Sequence, residues 1–84
     1  MNAFIKGLTN SDMVWQGIKK NEARAAYFQR AINSGSGSAA HCAKMRDTHF
    51  DMAAQYRERY NQLVTPEQQA ARRKAFLKMV GRTA

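Results

Sequence analysis

The chain has 84 residues, 44% of them apolar and 24% charged, with 14 Lys and Arg against six Asp and Glu for a net charge of +8. That length makes one domain with a thin core, burying about 60–65% of the surface its unfolded form exposes, and the apolar share is too high for a disordered tail. A single cysteine excludes an intramolecular disulfide and fits a reducing compartment, and no apolar run approaches the ~20 residues of a membrane span. The opening MNAFIKGL carries Lys6 but too short an apolar stretch for a secretory signal. The expected location is the cytoplasm, with no membrane partner. So strong a positive field in so small a protein favours acidic partners.

Residues 1–11 read as an N-terminal arm whose Phe4, Ile5 and Leu8 pack on the body. Thr9, Asn10, Ser11 and Asp12 are helix-start chemistry, offering side-chain oxygens to orphan backbone N–H groups. A helix is expected over 12–33, with a stripe of Val14, Ile18, Asn21, Ala25, Phe28 and Ile32 widened by Trp15 and Ala31. Gly17 costs about 1 kcal/mol against Ala inside a helix, and Asn21 puts an amide on the apolar face. A bend or a partly exposed stripe is expected there, in preference to a cross-interface bond from Asn21. Residues 34–38, Ser-Gly-Ser-Gly-Ser, form a flexible loop that suits an antiparallel turn. The loop is no phosphate cradle, because a helix precedes it and no Gly-Lys-Ser/Thr follows.

The second long helix, expected over 39–64 with Ser38 as N-cap, carries the stripe around which the rest is organised. Cys42, Met45, His49, Met52, Tyr56 and Leu63 share one side, with Ala53 and Tyr60 on its flank. Lys44, Asp47, Asp51, Glu58 and Arg59 lie opposite. Thr65, Pro66 and Gln68 compose a capping box and restart the chain. The third helix is expected over 66–80, ending at Gly81. Ala70, Leu77 and Val80 share a side with Phe76 beside them, and basic residues cover most of the rest. No repeat, strand pattern or long heptad array is present. The expected fold is all-α: an antiparallel two-helix hairpin with a basic third helix folded across it.

No constellation of catalytic residues stands out. Cys42 and His49 are two turns apart, about 11 Å along the axis, and so cannot share one ion or act as a nucleophile–base pair unaided. Asp47 and Asp51 sit beside Lys44 and Arg46 and read as surface ion pairs. The expectation is a protein without enzymatic activity, metal or cofactor. Binding is expected from the basic C-terminal helix through Arg72, Arg73, Lys74, Lys78 and Arg82, with Arg57 and Arg59 in support. Residues 65–84 hold five basic residues against one acidic. Tyr56 and Tyr60, one turn apart among arginines, are a candidate protein interface, although core packing explains that spacing better.

Two functions follow as rivals. One is an accessory or regulatory factor acting on an acidic protein or nucleoprotein machine, in the style of small basic inhibitors encoded by phages and mobile elements. The other is a DNA- or RNA-binding protein that uses the basic helix; a structural virion or assembly role stays open beside both. The thin core favours a homodimer or an obligate complex with another protein.

Overall fold

Each helix starts where the sequence supplies a side-chain oxygen. The computed structural model describes residues 1–81; among them 85% are helical and none lies in a strand. Asn2 caps α1 (Ala3–Lys6) by accepting from the Ile5 amide at 2.9 Å. Asn10 caps α2 (Ser11–Ser34), accepting from the amides of Asp12 and Met13. Gly35 ends α2 in the left-handed region, φ 71°. There its N–H reaches the Ile32 carbonyl while that of Ser36 reaches Ala31. Ser38 then caps α3 (Ala39–Leu63) through the His41 amide. At the start of α4 (Pro66–Gly81) the Gln68 amide donates to Thr65 Oγ1 at 3.2 Å, and the Thr65 amide donates to Gln68 Oε1 at 2.9 Å.

The hairpin of α2 and α3 makes the body. Its core is Val14, Ile18, Tyr60 and Val64, with Leu8, Trp15, Tyr56 and Leu63 packed around them. Ala25, Cys42 and Ala53 extend the buried seam toward the loop. The N-terminal arm lies on α3. Ile5 is fully buried, the Asn2 amide donates to Gln55 Oε1 at 2.6 Å, and Arg59 Nε donates to the Leu8 carbonyl at 2.8 Å. Phe4, by contrast, is 68% exposed.

At α2 two expectations, an interruption at Gly17 and no cross-interface bond from Asn21, are corrected, while the partly exposed stripe is seen, with Asn21, Phe28 and Ile32 only half-buried. The helix runs unbroken through Gly17, and the glycine is there for Tyr56. A Cβ at position 17 would lie 2.5–2.8 Å from the Tyr56 ring, so no side chain fits without moving that ring. Asn21 is likewise a bridge rather than a blemish. Its Nδ2 donates to the Gly17 carbonyl at 2.8 Å, and its Oδ1 lies 2.9 Å from His49 Nδ1 on α3. His49 in turn stacks on Phe28, ring centroids 5.9 Å apart and planes 9° from parallel. The amide on the apolar face thus meets the one polar ring opposite it, which satisfies both inside the seam.

The third correction concerns α4, which does not close over the hairpin as a third packed helix. It has no buried residue, and Phe76, Leu77, Met79 and Val80 are all more than half exposed. The physical reason lies in its own sequence. Arg73 falls between Ala70 and Leu77, and Arg72 stands beside Phe76, so no uninterrupted apolar stripe exists to drive packing. The molecule is consequently a flat body, 43 × 40 × 15 Å.

Gly17→Ala tests the close approach. Its helix-propensity gain is about 1 kcal/mol, against an overpacking cost of about 1–3 kcal/mol. Chemical denaturation should therefore show a net loss of about 1 kcal/mol. In a Tyr56→Ala background the same substitution should instead stabilise by about 1 kcal/mol. A gain in both backgrounds would mean that Tyr56 is not what keeps position 17 a glycine.

Candidate binding cleft

Where α4 leaves the hairpin, it and the open end of α2 and α3 enclose a cleft of about 740 Å³. The floor is aromatic. Tyr60, buried on α3, lies against Trp15 of α2, with centroids 5.5 Å apart and planes tilted by 45°. Lys19 Nζ stands 4.6 Å from the centroid of the Trp15 ring. Phe76, 57% exposed, forms the opposite wall from α4.

Arg72 holds the two sides together. Its Nη1 donates to the Tyr60 hydroxyl at 2.7 Å and its Nη2 to Asp12 Oδ1 at 3.1 Å, with the guanidinium carbon 5.6 Å from the Tyr60 ring centroid. A planar guanidinium holds its donors on separate nitrogens in a fixed fork, so each acceptor takes its own nitrogen. Gln69 adds a second tie, donating from Nε2 to the Val64 carbonyl at 3.1 Å. Both partners of the Arg72–Asp12 ion pair are well exposed, at 45% and 75%, so it contributes below about 1 kcal/mol.

The cleft is lined by four cations, Lys19, Arg57, Arg72 and Arg73, and one carboxylate, Asp12. Much of that charge is already matched. Glu22 accepts from Arg57 at 2.9 Å and lies 3.7 Å from Lys19, while Asp12 takes Arg72. Among the described residues, Arg73 is the cleft cation that makes no ion pair.

The residues expected to bind are thus divided. Arg57, Tyr60, Arg72 and Arg73 come together in the cleft. Arg59 is occupied with the Leu8 carbonyl and Gln62. Tyr56 lies in the seam on Gly17. Lys74 and Lys78 are exposed but do not line the cleft, and Arg82 lies outside the described residues. Sequence reasoning passed over Trp15, Lys19 and Phe76 as cleft residues. Their signal was present only as an aromatic at the edge of each apolar stripe with a basic residue one turn away.

Elsewhere, Cys42 and His49 face different neighbours. The Cys42 thiol is 3.9 Å from the Ser36 carbonyl, whereas His49 is turned to Asn21. Among the described residues no three His, Cys, Asp or Glu side chains converge on a common point, and no helix is long and apolar enough to cross a membrane. The chain matches no protein-family model, no curated protein and no solved structure.

Removing the Arg72 fork should loosen α4 while leaving the hairpin intact. For Arg72→Ala, amide exchange over residues 67–80 should accelerate about fivefold, the effect of roughly 1 kcal/mol of lost hydrogen bonding. Protection at Ile18 and Ala53 should be unchanged. Uniform loss of protection across all helices would show instead that α4 and the hairpin unfold as one unit.

Proposed function

We propose that the protein is a non-enzymatic accessory or regulatory factor that docks on an acidic protein surface through this cleft. The observation that carries the reading is the pairing of an open aromatic–arginine cleft with an α4 that buries none of its residues. Protein interfaces are enriched in Trp, Tyr, Phe, Met and Arg, and their strongest contacts are aromatic and arginine anchors in recessed sites. Trp15, Tyr60, Phe76 and Arg73 supply that set in one place. The +8 charge steers approach toward an acidic surface. A factor of this kind acts by occupying its partner's surface, which suits an inhibitor as well as an assembly role, and it needs no chemistry of its own.

A nucleic-acid reading draws on the same cations beside the exposed Phe76 ring. It is the weaker one because of the internal pairing. A phosphate track works through cations free to displace counterions, and Glu22 and Asp12 already engage three of the four in the cleft. The basic residues of α4 are also spread around its circumference rather than aligned.

Affinity capture from the native cell, with and without nuclease, separates the readings. A protein partner should survive nuclease. Phe76→Ala should weaken its binding about tenfold or more, as for an aromatic hot spot of about 1.4–2 kcal/mol, and Arg73→Gln should mainly slow association. Capture abolished by nuclease would favour nucleic acid. Capture indifferent to Phe76 and Arg73 would remove the cleft from the interface.

A further inference from the structure

A body of helices only 15 Å thick leaves each helix with a face that no other part of the chain covers, whereas stable domains are built from at least two packed layers. On α3 the uncovered face has a definite chemistry. Asp47, Asp51 and Glu58, four and seven residues apart, form a mainly acidic stripe that begins at exposed Lys44, with exposed Phe50 and Ala54 on the same side. Asp47 is partly offset by its neighbour Arg46, whose Nε lies 2.9 Å away and whose Nη1 is held by Gln29. Asp51 accepts only from Gln55, and Glu58 makes no ion pair among the described residues.

The face of α4 turned away from the cleft has the opposite character. Each residue turns the helix by about 100°, so Lys74 and Lys78 lie about 200° round from Arg72 and Phe76. Leu77 sits between these lysines and Arg73, and Lys74, Leu77 and Lys78 are all exposed. The lysines make no ion pair among the described residues.

We propose that this face of α4 packs on the acidic face of α3 in a second copy of the chain, and reciprocally, so that two such contacts close a two-fold dimer. The two stripes belong to one molecule, have opposite sign and share a spacing. Lys74 and Lys78 are about 6 Å apart along their axis, as are Asp47 and Asp51 along theirs. Leu77 then lies on Phe50 and Ala54, so large apolar side chains left in water by the monomer cover one another. The net charge of +8 on each copy opposes their approach. The contact therefore rests on these local pairs and the apolar burial between them. Lys74 and Lys78 lie away from the cleft, whereas Leu77 borders Arg73 at its edge, so the two surfaces adjoin along one side of α4.

A charge exchange tests the pairing. Light scattering of the wild-type chain at tens of micromolar should give about twice its 9.5 kDa mass. Asp47→Lys with Asp51→Lys makes both stripes basic, and Lys74→Glu with Lys78→Glu makes both acidic; each of these chains alone should scatter as a monomer. An equimolar mixture should return to the doubled mass, because every contact then joins opposite charges. A monomeric wild type, a variant that stays at twice the mass or a mixture that fails to associate would each overturn the proposal. Circular dichroism checks that both variants stay helical, since all four substituted side chains are exposed. Should either unfold, Asp51→Asn and Lys78→Gln must each raise the dissociation constant about two- to fivefold, the range of an exposed ion pair; an unchanged constant would overturn the pairing equally.

Discussion

The ring of Tyr56 rests on the backbone of α2 at Gly17, in space that any side chain would fill. This approach sets how near the two long helices come, and the rest of the seam depends on it. One turn further along α2, Asn21 is brought within hydrogen-bonding distance of His49. One turn along α3, Tyr60 is brought against Trp15. The close approach therefore connects a polar bridge on the loop side to the aromatic floor of the cleft at the open end. Gly17 gives up about 1 kcal/mol of helix propensity for this. A cost of that size is readily offset where a large aromatic ring is buried against a flat backbone.

A two-helix seam can bury only one face of each helix, and here that limit governs everything outside it. Val64, just past the end of α3, belongs to the core at the open end, and Ile5 of the N-terminal arm is buried on α3, where Arg59 fixes the arm through the Leu8 carbonyl. No comparable apolar surface is available to α4. It is fixed instead by polar ties from Gln69 and Arg72, and these hold a helix in place without burying it. The cleft results from this arrangement, because a helix held by a long arginine side chain stands off from the body that it would cover if leucines held it.

What the sequence discloses depends on how far away the relevant partner lies. Ser38, Thr65 and Gln68 act on backbone groups within three residues, so helix starts are legible from local chemistry. The apolar stripes are legible for the same reason, and with them the all-helical character. Gly17 and Asn21 are different: their meaning resides in Tyr56 and His49, on another helix, and a local propensity scale registers only their cost. In the candidate site, Arg57, Tyr60, Arg72 and Arg73 stand out as charged or aromatic residues in any reading. Trp15 and Lys19 join them only because Asp12 and Arg72, 60 residues apart, meet in the fold. Counting charge along the chain also groups Lys74 and Lys78 with Arg72, whereas the turn of the helix puts them on opposite sides.

The attachment of α4 bears directly on how a partner would be bound. A helix with no buried residue gains little from its own packing, and in proteins most helical stability comes from such packing rather than from propensity. Its Arg72 contacts, worth about 1 kcal/mol or less where exposed, leave it near the low end of the local stability range. A partner that covers Phe76 and Arg73 therefore orders α4 and stabilises it in the same step. A short two-residue connection, Val64-Thr65, and a reciprocal cap at Thr65 and Gln68 restrict the orientations from which α4 starts. The ordering cost of binding is correspondingly smaller than for a free peptide of the same sequence, since the cap and the Arg72 fork have met part of it beforehand. In the proposed complex, burial of apolar side chains left exposed in the free chain would contribute to affinity rather than to folding.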